Sequence, residues 1–216
     1  MLTARFFGRL LIMSRLLPSL FGLACLSFGV FAGEPLEQGR RDFAMSQLHA
    51  SRKMFLDATA NLTPAQWNFK AGPDRWSIAE CAEHIAVSED YIWGVVEKLV
   101  AGPPADAELI AKTKGKDEML VKMVPDRSQK FQAPEPIRPK TASTTDPMEF
   151  VARFKESRDK HIHYVDTTQD SLRDKVMAHP AAGPLDAYQW ILLIAGHTER
   201  HVMQILEVKA DPNYPK

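Results

Sequence analysis

Cysteine is scarce in this chain: two residues, Cys25 and Cys81, among 216. A disulfide framework is therefore excluded as the main source of stability, and the fold must rest on a hydrophobic core. Excess charge of one sign is also missing, with 27 basic residues against 27 acidic ones. That balance lacks the basic patch expected of a nucleic-acid binder. Runs of alternating apolar and polar residues, the mark of strands, are nearly absent, and no internal repeat is found. What remains is 45% hydrophobic and 25% charged, suited to one sizeable globular domain.

The N-terminus differs from the rest. Residues 1–32 carry Arg5, Arg9 and Arg15, no acidic residue, and then "LLPSLFGLACLSFGVFA" from Leu16 to Ala32. A basic start, an apolar middle and small residues near the end predict a secretory signal peptide over 1–32, cut after Ala32, and hence a periplasmic or secreted protein. The alternative is an uncleaved membrane anchor formed by residues 16–32. Cleavage leaves 24 basic and 27 acidic residues, a net charge of −3, and Cys81 as the sole cysteine. The folded domain is expected to span 34–216, and a homodimer is compatible with it.

Helical periodicity occurs four times, each segment with its own punctuation. The first segment runs from about Leu36 to Leu62 and is followed by a short turn, in which Thr63 is the N-cap and Pro64 and Gln66 complete the signature. The second opens at Ser77 with Glu80 as its capping box and carries Ile78, Cys81, Ile85, Ile92, Val95, Val96 and Leu99. The third opens at Asp146-Pro147 with Glu149 closing a box, and Val151, Phe154, His161 and Val165 share its stripe. The fourth opens at Asp186 with Gln189 and places Trp190, Ile194, His197, His201, Ile205 and Val208 on one face. About 45 residues separate the second and third segments, long enough to return the chain to its starting end. The fold class is therefore all-α, a four-helix bundle ordered up, down, down, up, with a long crossover between helices two and three.

Histidine placement follows from that topology. His197 and His201 are four residues apart on one helical face. His84 lies seven residues after Ser77, about 10 Å down its helix. The centre of the later pair lies about 15 Å from the end of helix four. If helices two and four are antiparallel, these heights nearly coincide; if parallel, they miss by about 10 Å, too far to share an ion. His161 should sit a turn or two below His84 in the core or at its rim. His49, His163 and His179 are read as packing or surface residues.

Three imidazoles leave positions open on a divalent ion, as in catalytic and not structural sites. Zinc or nickel suits imidazole best, with iron or manganese as alternatives. Such an ion can activate water for hydrolysis of a small-molecule substrate. "HTERH" is not H-E-x-x-H, because Glu199 is two residues from each histidine, which argues against a zincin peptidase. Glu80, Tyr91 and Trp190 are candidates to support the site or line its pocket, although capping and aromatic packing explain them first. No general base stands out. A bundle that binds a metal or small ligand without turnover is the competing reading.

The strings "RWSIAECAEHIAVSEDYIW", "DPMEFVARFKESRDKHIHYVDTTQDSLRDK" and "HPAAGPLDAYQWILLIAGHTERHVMQILEVKADPNYP" together resemble the DinB-like superfamily of metalloenzymes. The resemblance covers residues 36–214. It implies an up-down-down-up bundle with a metal held by one histidine early in helix two and an H-x-x-x-H pair in the last helix, positions that match His84, His197 and His201. For activity it implies either hydrolysis or transfer of low-molecular-weight thiols. Thiol transfer fits an exported protein poorly.

Overall fold

The computed structural model describes residues 33–142 and 144–216; residues 1–32, where the sequence predicts a signal peptide, lie outside them. Among the described residues no helix is long and apolar enough to cross a membrane. Four long helices dominate: α1 (Gln38–Thr59), α3 (Ile78–Ala101), α6 (Pro147–Thr167) and α7 (Ala187–Lys209). Three short ones lie between them: α2 (Pro64–Asn68), α4 (Ala107–Ala111) and α5 (Lys116–Met123).

The helix starts follow local chemistry. Thr63 with Gln66, Ser77 with Glu80, and Asp186 with Gln189 each form a reciprocal capping box, satisfying backbone N–H groups that the first turn leaves free. The box expected at Glu149 does not form. The Asp146 carboxylate turns instead to the Met148 N–H at 2.9 Å, a two-residue Asx turn, while the Glu149 N–H reaches the Asp146 carbonyl.

Side-chain contacts fix the helix directions. The Tyr188 hydroxyl donates to the Arg40 carbonyl at 2.9 Å, so α1 and α7 start at the same end. Arg41 donates to the carbonyls of Val165 and Thr168, which places the start of α1 against the end of α6. Arg75, just before α3, pairs with Glu207 near the end of α7. Asp90 meets Arg153 and Ser157, and Trp93 meets Tyr164, so α3 and α6 run in parallel. The order is up, down, down, up, and residues 102–146 carry the chain from the end of α3 to the start of α6.

That connection holds α4, α5 and a 3-10 turn at Glu135–Ile137. α5 fills the middle of the connection, and Asp106 caps α4 by accepting from the Leu109 N–H at 2.7 Å. At Gly196 a Cβ would come within 3.1 Å of the Val124 side chain, so glycine there permits the connection to lie directly on α7. A second departure from expectation is the hairpin of β1 (Val176–His179) and β2 (Gly183–Asp186), paired antiparallel with Val176 opposite Asp186. Four-residue strands containing Pro184 and Gly183 are too short to show alternation.

The core divides into two apolar clusters with a polar layer between them. One holds Leu48, Ile92, Val96, Val165 and Ile191; the other holds Phe55, Ile85, Phe154, Val202 and Ile205. Cys81 lies in the second, and burial pushes its thiol pKa far up, in keeping with an inert small hydrophobe. Along each helix the intervening turn carries polar groups: Ser51 on α1, Glu89 on α3, Arg158 and His161 on α6, Thr198 on α7. Arg158 is fully buried and grips Glu89 through two bonds of 2.7 Å. Its remaining N–H groups reach the Leu48 carbonyl at 2.9 Å, Ser51 at 2.8 Å and Thr198 at 2.9 Å. His161 Nδ1 lies 2.8 Å from Glu89, and its ring stacks on Trp93. Ion pairing and donated hydrogen bonds hold the Glu89 carboxyl below its usual pKa against the opposing effect of burial.

Truncating one member of this pair strands the other charge in the core. Arg158→Met is expected to lower stability by about 3–5 kcal/mol, and Glu89→Leu with Arg158→Met by markedly less. Urea unfolding of both variants measures this; equal losses would contradict it.

Candidate metal centre

His84 sits in the second turn of α3, and His197 and His201 occupy successive turns of α7. Because α3 and α7 are antiparallel, the three rings meet at one depth. His84 Nε2 is 3.2 Å from His197 Nε2 and 3.1 Å from His201 Nε2, and the three ligand atoms all lie within 4.8 Å of one another. His84 and His201 are buried, at 2% and 8% exposure, while His197 keeps part of its surface open. Trp76 packs on both buried rings, its centroid 4.9 Å from that of His84 and 6.0 Å from that of His201.

Hydrogen bonding on the far side of each buried ring decides which nitrogen is free. His84 Nδ1 lies 2.6 Å from the Ile137 carbonyl oxygen, which can only accept, so Nδ1 carries the proton. His201 Nδ1 lies 3.0 Å from Gln204 Oε1. Arg127 also donates to that oxygen at 3.3 Å, which fixes the amide's orientation. His201 therefore carries its proton on Nδ1 as well. The two Nε2 atoms that face each other at 3.1 Å present lone pairs to one another, an arrangement that a cation between them would satisfy. Nitrogens about 2.0–2.1 Å from a common zinc ion stand about 2.8–3.0 Å apart in octahedral and about 3.3–3.4 Å apart in tetrahedral geometry, a range that brackets the spacing seen here. Neutral imidazole is the form that ligates, and burial keeps all three rings in it: each pKa is lowered, well below the ordinary value for His197 and His201.

The expected supporting residues fare differently. Glu80 is committed to the Ser77 cap and to Lys70 at 3.0 Å; it lines a cavity of about 320 Å³ with Lys140 but makes no hydrogen bond to His84. Tyr91 is 52% exposed, because the flank of α3 that Trp76 and the Ile137 turn cover at His84 opens to solvent one heptad later. Trp190 is buried against His179, and its indole N–H has no hydrogen-bond partner. Of the other histidines, His161 joins the polar layer, and His49 and His163 are exposed. His179 ends β1, where its Nδ1 accepts from the Ala181 and Ala182 N–H groups. Sequence reasoning missed Trp76, Arg127, Ile137 and Gln204. Gln204 had a legible signal, three residues after His201 on the same face. A backbone carbonyl such as that of Ile137 leaves no trace in a sequence.

An antiparallel helix pair that brings one histidine from the second long helix to an H-x-x-x-H pair in the last defines a class of helical bundles built around a histidine cluster. The chain belongs to the DinB superfamily, whose sequence pattern matches residues 47–205. Its fold is similar to that of YfiT from Bacillus subtilis, described as "a probable metal-dependent hydrolase with an unusual four-helix bundle topology". The two share 14% identity with a TM-score of 0.57 over 85% of this chain and 93% of that one. The uncharacterized protein YuaE of Bacillus subtilis (strain 168) is 22% identical over 165 residues, 76% of this chain and 96% of its own.

Depressed histidine pKa values tie stability to pH. The folded values lie below the ordinary 6.5, so protons bind the unfolded chain more readily. Stability of the metal-free chain is then full above that value and falls as the pH drops below it. Urea unfolding in chelator from about pH 8 to about pH 5 should show the decline. Replacing His201 with Gln should flatten it; an identical slope in the variant would assign the effect elsewhere.

Proposed function

We propose that this protein is a metal-dependent hydrolase acting on a small molecule, with His84, His197 and His201 as the metal ligands. The observation that carries the reading is the pair of Nε2 lone pairs directed at each other at 3.1 Å in a buried setting. The fold shared with YfiT supports it. A divalent ion, zinc or nickel before iron or manganese, supplies Lewis acidity toward a substrate oxygen and lowers the pKa of water. The chain's own part is to hold and shield. The Ile137 carbonyl and Gln204 orient two of the rings, and Trp76 covers them. The reading includes export, supported by the basic and then apolar composition of residues 1–32.

A second reading, an ion that stabilises the bundle without turnover, is favoured by one observation. His84 and His201 are buried and Trp76 packs on both rings, which would shield an ion there. Metal analysis of protein purified without a histidine tag, together with assays on ester, amide and phosphate panels, separates the readings. About one divalent ion per chain is expected, lost in His84→Ala and His197→Ala together with hydrolysis. Hydrolysis that survives in His197→Ala would reject the catalytic reading. Bound metal with no turnover on any panel would favour the second.

A further inference from the structure

The connection between α3 and α6 reaches the histidine cluster directly at His84 and through Gln204 at His201. On the α3 side, Ile137 presents its carbonyl to His84 Nδ1 at 2.6 Å. The chain just beyond is tied down by Glu83, the residue preceding His84. Its carboxylate accepts from the Lys140 N–H at 2.9 Å, the Thr141 N–H at 3.0 Å and the Thr141 hydroxyl at 2.9 Å. On the α7 side, Arg200, the residue preceding His201, donates to the carbonyls of Val124, Asp126 and Gln129. Arg127 in the same segment donates to Gln204 Oε1 and makes two further bonds to Glu207, at 2.6 and 2.9 Å.

The pattern is the same on both helices. A charged residue beside each buried histidine grips the connection, and the connection in turn fixes the far nitrogen of that histidine, directly at Ile137 and through Gln204 at Arg127. We propose that residues 124–141 act as a tautomer lock, in which Arg127 and Gln204 are positioning residues that keep the proton of His201 on Nδ1 while the Ile137 carbonyl does the same for His84, so that both rings offer Nε2 to a metal ion. The inference rests on the metal-centre reading above and adds to it where the selectivity for Nε2 originates. It has a reciprocal consequence. Whatever affinity the ordered connection lends the metal, the metal returns as ordering of the connection.

Gln204→Leu removes the acceptor at similar size, Arg127→Met removes the group that aims it, and Gln204→Glu keeps an acceptor oxygen in place. Long-range proton–nitrogen NMR of the metal-free full chain reads the imidazole tautomers. His84 and His201 are expected as Nδ1–H in the wild type, with His201 alone shifting toward Nε2–H in Gln204→Leu. Zinc affinity, measured by chelator competition, should fall about 10–100-fold in Gln204→Leu, less in Arg127→Met, and recover in Gln204→Glu. Backbone hydrogen exchange over 124–141 should slow on zinc addition in the wild type and respond less in Gln204→Leu. Thermal unfolding of the metal-free variants checks that the fold is retained. An unchanged His201 tautomer with unchanged zinc affinity in Gln204→Leu overturns the lock. Failure of the wild type to take up zinc, nickel, iron or manganese overturns the metal-centre reading instead, and the tautomer spectra still decide the lock.

Discussion

The buried pair of Arg158 and Glu89 is the constraint on which the rest of the structure depends. A fully desolvated guanidinium is tolerable only when its donors are satisfied, and here the partners come from the other three long helices: Glu89, the Leu48 carbonyl and Ser51, and Thr198. Two apolar clusters that would otherwise merge are held apart by this layer. Polar geometry is directional where apolar packing is not, so the layer fixes how far each helix slides along its neighbours. Thr198 is the neighbour of His197, and the register that satisfies Arg158 is the register that brings the α7 histidines level with His84.

Two kinds of buried polar cluster thus lie close together with opposite electrostatic characters. The first is closed: its main donors and acceptors find partners within the protein, and nothing further is needed. The second is open in a chemical sense, since the Nδ1 atoms of His84 and His201 are matched to acceptors while their Nε2 lone pairs face each other. Burial penalises the charged form in both, yet the outcomes differ. Glu89 is kept ionised by a cation it already has, whereas the imidazoles stay neutral and ready for one.

Much of this was legible in the sequence, and the reasons are specific. Capping boxes at Ser77 and Asp186 set the helix starts, and counting residues from them placed His84 against His197 and His201 once the helix directions were known. The long spacing between helices two and three indicated a parallel pair. The polar layer was legible in principle, since Glu89 and Arg158 fall on the apolar stripes of their helices, Glu89 between Ile85 and Ile92 and Arg158 between Phe154 and His161. Opposite charges on facing stripes are a signal that periodicity alone does not weigh. The hairpin was hidden by its brevity, and Glu80, four residues before His84, and Tyr91 and Trp190, each a heptad from a histidine, were placed by spacing alone, which ignores what covers each turn from outside. Ile137 acts through its backbone, so its side chain says nothing of its role.

The contact between Tyr188 and Arg40 joins the last long helix to the first. A chain emerging from the ribosome can assemble α1, α3 and α6 only provisionally, because Arg158 lacks Thr198, and His84 lacks both companions, until α7 has been made. Under the reading proposed above, the site for an ion would therefore exist only in the finished chain, and loading would wait on the last helix to be made.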